Sequence, residues 1–219
     1  MASASTQDFG AAAVPSWRGW MHTVAFMLSI PGVVILLLRA SGAVAYVAAS
    51  IYGAGLLLGF GTSAAYHRLA QSDRARTIMQ RMDHSTIFVL IAGSCTPVAL
   101  LGLPSAWGIP LISVVGAGAV LGVVLKQVAF DRLRWLEYAL YPILGWAVVA
   151  TSPALVRSMP LAALILLALG GMFYTVGIPV LVRERPNPWP RTFGYHEVWH
   201  TATVLGGACH FATMAMLIR

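Results

Sequence analysis

Charge is what this sequence has least of. Only 10% of its 219 residues are charged, against 58% apolar, and the mean hydropathy is +0.78. A soluble domain carries about 25% charged residues to cover its surface. The composition therefore excludes an ordinary water-soluble domain and leaves lipid as the cover. Lysine is reduced to Lys126 among fourteen basic residues, and the net charge is +7. Basic proteins that bind nucleic acid cluster their cations on a polar element shaped for a groove. Here the cations fall in short gaps between apolar runs, which argues for no nucleic-acid partner and matches the loop charges that orient membrane proteins. Cysteine is nearly absent too. Cys95 and Cys209 both lie in apolar runs without a CxxC partner, so both read as small buried thiols. There is no internal repeat and no sign of a second domain.

What is present is a series of long apolar runs. Spanning a bilayer takes about 20 apolar residues in a helix. Seven runs approach that length: Met21–Leu38, Val44–Tyr66, Ile78–Leu101, Trp107–Leu125, Trp135–Thr151, Leu161–Val182 and Val198–Ile218. None alternates with period two, and a helix satisfies its own backbone in lipid. The expected fold is an all-α, seven-transmembrane helix bundle over residues 17–219, after a small, polar, disordered tail at residues 1–16. Ala43-Val44-Ala45 resembles a signal-peptidase site, but Arg18 and the length of the first run favour a retained span. Pro31, Pro97, Pro110, Pro142 and Pro179 fall within spans, where neighbouring helices can satisfy freed carbonyls. Gly55 and Gly59 form a small-xxx-small face for close helix packing.

Basic residues set the orientation. With seven spans, one side carries Arg18, Arg68, Arg74, Arg76, Arg81, Lys126, Arg132, Arg134, Arg183, Arg185 and Arg191, and the other only Arg39, Arg157 and Arg219. Short Arg-rich loops stay in the cytoplasm. The N-terminus is therefore expected in the cytoplasm and the C-terminus outside.

That topology brings polar residues from three segments to one membrane depth. His67 ends the second run, Asp83 opens the third, and His196 and His200 open the seventh. His196 and His200 are four apart, so a helix stacks them on one face, as it does Ser63 and His67. Three imidazoles can hold one zinc and leave a fourth position open, the arrangement of catalytic rather than structural sites. Asp83 could then hold a bound water. A single histidine at a membrane interface is ordinarily only amphipathic, and His22 and His84 are read that way. His210, deep in the last run, is expected to hydrogen-bond to a neighbouring helix. His196-Glu197-Val198-Trp199-His200 also fits HExxH, the zinc-protease pattern in which Glu is the general base; an intramembrane metalloprotease is thus a rival, with no other protease feature behind it.

These residues carry a family resemblance. Gly61-Thr62-Ser63-Ala64-Ala65-Tyr66-His67, Arg81-Met82-Asp83-His84, Ile91-Ala92-Gly93-Ser94-Cys95-Thr96-Pro97, the late HxxxH, and Gly207-Ala208-Cys209-His210-Phe211 resemble the haemolysin III family. That family is the bacterial branch of the progestin and adipoQ receptors, related to alkaline ceramidases. The resemblance covers about residues 17–219. It implies seven spans, an inside N-terminus, and Zn2+ at the cytoplasmic end of the bundle on His67, His196 and His200, with Asp83 as the carboxylate for the zinc water and Ser63 as the accompanying serine. It also implies a multi-pass protein of the bacterial plasma membrane. Eukaryotic members look like lipid amidases or receptors, and the bacterial branch is named for haemolysis and linked to membrane homeostasis. Cys95 departs from the family, whose members usually show a hydroxyl or aromatic residue there. In the family the second residue of the late motif is Glu or Gln, which weakens the protease reading.

The expectation is metal-assisted hydrolysis of an amide or ester in a lipid-like substrate, with the bilayer itself as the other partner. Zinc would be held by His67, His196 and His200, Asp83 would act on the water, and Ser63 would stabilise the oxyanion. The alternative is a non-catalytic membrane protein, a sensor, homeostasis or cytolytic factor with structural zinc. A transporter fits less well, because no paired half-helices occupy matching positions.

Overall fold

The computed structural model describes residues 14–129 and 134–219. The apolar runs fold as helices, which lipid requires of backbone groups that have no other partner. α1 (Trp20–Arg39), α2 (Ala43–Leu69), α3 (Asp73–Pro97) and α4 (Ser105–Val128) follow in order. α5 (Arg134–Gly145) and α6 (Ser152–Ser158) are joined through a 3-10 turn over Ala147–Thr151, and α7 (Leu161–Arg183) and α8 (Tyr195–Leu217) complete the bundle. Among the described residues the one extended pairing is an isolated bridge between Trp189 and Phe193.

Local chemistry sets the ends. Pro104 and Pro160 stand just before α4 and α7, where a missing N–H removes no helical bond. Ser72 caps α3, its Oγ accepting from the Ala75 N–H at 3.2 Å, and Asp73 adds negative charge to the first turn. This polar start carries α3 back to Asp73, ahead of the apolar run that begins at Ile78. Pro97 lacks the N–H that would bond one turn back, and the helix widens into a π-turn over Val98–Gly102 directly after it.

The outward surface is apolar: Leu38 is 80% exposed, Val128 75% and Leu161 72%, while Tyr52, Phe88, Leu36 and Met214 are wholly buried. Large contiguous apolar surface of this kind belongs against lipid. Among the described residues, six helices are long and apolar enough to cross a membrane: Trp20–Arg39, Ala43–Leu69, Asp73–Gly102, Ser105–Val128, Ala139–Ser158 and Leu161–Arg183. The protein is a multi-pass membrane protein. α8 is 23 residues long but falls outside that set. It carries His196, Glu197, His200, His210 and three threonines, which dilute its apolarity. Several turn inward: Glu197 and His200 are 1% exposed and Thr213 is 0%.

The fifth span differs from the expected Trp135–Thr151. It runs over Ala139–Ser158 and is broken near Trp146. Pro153 does not end it, because proline is tolerated in the first turn of a helix, and α6 starts there. Of the tail expected at residues 1–16, residues 1–13 lie outside the described residues. Ser16 and Trp17 donate backbone N–H bonds to the carbonyls of Arg191 and Thr192, each at 3.1 Å.

Candidate metal centre and its cavity

The polar residues meet because α2 and α3 lie almost backbone to backbone. A Cβ on Gly93 would stand 3.4 Å from the Gly55 Cα and 3.2 Å from the Ile51 carbonyl oxygen. The small face expected at Gly55 thus becomes a helix crossing, while Gly59 packs against the Leu90 side chain. With the short turn after Leu69, the end of α2 bearing Ser63 and His67 sits beside the start of α3 bearing Asp83. α8 begins at the same end. Its first turn is fixed by Glu197, whose Oε2 accepts from the Gly194 N–H at 2.8 Å and whose Oε1 accepts from Arg18 Nε at 2.6 Å.

All five residues named from the sequence gather there. His67 Nε2 and His196 Nε2 are 3.1 Å apart. One ring nitrogen from each of His67, His196 and His200 lies within 4.8 Å of the others. Asp83 Oδ2 is 4.0 Å from His67 Nε2. Ser63 and Asp83 are both buried and line the same cavity.

The donor set fits a metal ion. Nitrogens bound at 2.0–2.1 Å to one tetrahedral zinc stand about 3.3 Å apart, close to the spacing of His67 and His196. His200 Nε2 is buried without a hydrogen-bond partner. An unpaired buried acceptor costs about 1–3 kcal/mol, and coordination would satisfy it. Imidazole nitrogens suit zinc, copper, iron and nickel alike.

His67 and His196 line a cavity of about 380 Å³. Its wall is largely apolar, with Ile87, Leu90, Ile91, Ile178 and Leu181, and it extends past Cys95 to His210. Trp146, at the break after α5, closes one side: its Nε1 donates to Thr175 Oγ1 at 2.9 Å, tying the fifth span to α7. His210 behaves as expected, with Nε2 3.3 Å from the Leu167 carbonyl oxygen on α7. His84 lines the cavity, and its carbonyl accepts from the Tyr141 hydroxyl at 3.2 Å.

Two residues at the centre escaped sequence reasoning. Arg18, read as a topology charge and as a mark of a retained first span, is the ion-pair partner of Glu197. His22, read as an interfacial anchor, is instead buried at 6% exposure and stacks on His200 at 3.8 Å between ring centroids and 12° between planes. His22 stands near the start of α1, as His200 stands near the start of α8, but nothing in the sequence fixes which way α1 turns.

Residues 12–211 match the family described as Haemolysin-III related. A hemolysin-3 homolog of Bacillus subtilis (strain 168) is 31% identical over 193 residues, which cover 87% of each chain. Hemolysin-3 of Bacillus cereus is 28% identical over 193 residues, 87% of this chain and 85% of that relative.

Proposed function

The chain belongs to the haemolysin III-related family, and from that premise we propose that it is a membrane-embedded, zinc-dependent hydrolase of lipid amides or esters with a role in membrane homeostasis. One observation carries the proposal: three imidazoles from α2 and α8 converge beside a buried carboxylate that lines an apolar cavity. His67, His196 and His200 would hold the ion. Zinc supplies Lewis-acid polarisation of a carbonyl and makes a water acidic at neutral pH. Asp83, 4.0 Å from His67 Nε2, would take that proton. Ser63, buried in the same cavity, would stabilise the developing oxyanion. The apolar wall would take an acyl chain and keep water from the reacting carbonyl.

We also propose that α8 crosses the bilayer as a seventh span. Its 23 residues reach about 34 Å at 1.5 Å each, enough for a hydrocarbon core of about 30 Å.

The protease reading loses its base. Both Glu197 oxygens are occupied, by Arg18 and by the Gly194 N–H. A non-catalytic role, in sensing or in the cytolysis that the relatives' names suggest, keeps the same metal site and differs only in having no turnover.

The purified full-length protein, loaded with zinc, tests this. It should release fatty acid from a panel of ceramide-like and ester lipids. Asp83→Asn should retain zinc and lose release, while His67→Ala and His196→Ala should lose the metal. A His67→Ala variant with full metal content would refute the shared site. Absence of release across the panel would leave a metal protein without hydrolase activity.

A further inference from the structure

α1 contributes no ligand to the proposed centre, yet it is locked to it at two points. At its start, Gly19 has φ +81, and a Cβ there would stand 2.8 Å from the Cβ of His67 and 2.9 Å from the Arg68 Cγ. Left-handed backbone and this close approach both call for glycine. One turn on, His22 lies over His200 with nearly parallel rings, 3.8 Å apart at 12°, and Phe60 packs against it at 5.2 Å.

The hydrogen bonds fix the tautomer of His22. Its Nε2 is 3.0 Å from Thr203 Oγ1. The same hydroxyl donates to the His200 carbonyl at 2.9 Å. A hydroxyl has one proton, so with that proton on the carbonyl its oxygen accepts from His22 Nε2–H. His22 Nδ1 then carries the lone pair and is buried without a hydrogen-bond partner. The ring of His22 is thus held by the same turn of α8 whose imidazole it covers. The three-part clamp runs from His22 through Thr203 to the His200 backbone, and closes through the stacked rings.

From this geometry we infer that His22 is a positioning residue: it covers one face of His200, restricts rotation of that ring, and so sets both the affinity and the symmetry of the metal centre. The inference rests on the metal site proposed above. His22 acts through the plane of its ring rather than by coordination. Residues that orient metal ligands typically govern metal affinity by 10–100-fold.

The test uses the full-length protein in detergent, titrated with zinc against a competing chelator and with cobalt, whose visible spectrum reports coordination geometry. Wild type binding neither metal would remove the premise, and the inference with it. Given wild-type binding, His22→Ala should weaken zinc by 10–100-fold and alter the cobalt spectrum. His22→Phe keeps the ring plane without nitrogens and should restore most of the affinity and the wild-type spectrum. Thr203→Val removes the anchor while leaving His22 in place, and should weaken binding less than His22→Ala does. It also reads the clamp if the alanine variant does not fold. Wild-type affinity and spectrum in His22→Ala would overturn the inference. So would a His22→Phe variant as impaired as His22→Ala, because that result would make His22 a ligand.

Discussion

Glu197 occupies the second position of an HExxH stretch, but its carboxylate is turned to the helix start. Its two oxygens hold the Gly194 N–H and Arg18 Nε, and it is 1% exposed. The Arg18 side chain is 23% exposed, so solvent screens one partner and the pair contributes less than a wholly buried one would. Glu197→Gln can still accept from the Gly194 N–H but loses charge assistance to Arg18. We expect it to retain zinc and any lipid hydrolysis, and to lose about 1–2 kcal/mol of stability, read as a lower melting temperature in detergent. Retained metal with complete loss of hydrolysis would return Glu197 to the chemistry. At this scale the sequence was informative for residues in a pattern and silent for His22. His67, Asp83, His196 and His200 were legible because their helical spacing and loop topology coincide. His22 stands alone in a helix that is apolar on nearly every side, so nothing in the sequence fixed which way α1 turns.

At the scale of elements, the position of His67 against Asp83 depends on how closely α2 and α3 approach. The neighbours that a side chain at Gly93 would meet are backbone atoms, the Ile51 carbonyl oxygen and the Cα atoms of Gly55 and Tyr52, none of which can turn aside. Gly93→Leu should therefore force the helices apart. Overpacking of this kind costs about 1–3 kcal/mol, and zinc affinity should fall with stability because both sides of the site move. Gly116→Ala is the control. A Cβ there meets nothing within 4 Å, and replacing a helical glycine gains up to about 1 kcal/mol. Thermal melts and zinc titrations of the two variants check the contrast; equal melting temperatures would mean that the crossing is not what sets the distance. The helices themselves were legible from apolar runs, and Gly55 marked the crossing. The fifth span was not, because its break at Trp146 is tied to a hydrogen bond with Thr175 on α7, a contact between segments that local periodicity does not carry.

At the scale of the whole molecule, the two ends of the bundle differ in charge and in chemistry. The histidine end carries Arg18, Arg68, Arg74, Arg76 and Arg81 near the starts and ends of α1, α2 and α3, with Arg183, Arg185 and Arg191 in the approach to α8. At the far end, the backbone N–H of Ser41, between α1 and α2, donates to the carbonyl of Arg219 at 2.9 Å. α8 thus leads from the histidines to the α1–α2 turn, although its composition is too polar to register as a span. Three of its polar side chains are compensated within the bundle: His22 meets Thr203, Arg18 meets Glu197, and His210 meets Leu167. A helix with these partners can cross lipid without exposing them. If it does, the termini lie on opposite sides, and the density of arginine puts the histidine end in the cytoplasm. Alkaline phosphatase folds only outside the cytoplasm and green fluorescent protein fluoresces when fused inside it. Phosphatase joined after Arg219 should be active, and phosphatase inserted between α7 and α8 should be silent, with the fluorescent fusions giving the reverse. A silent phosphatase and a bright fluorescent fusion after Arg219 would put both ends of α8 on one side, and the metal centre could then no longer be reached from the inner leaflet through a bundle of seven spans.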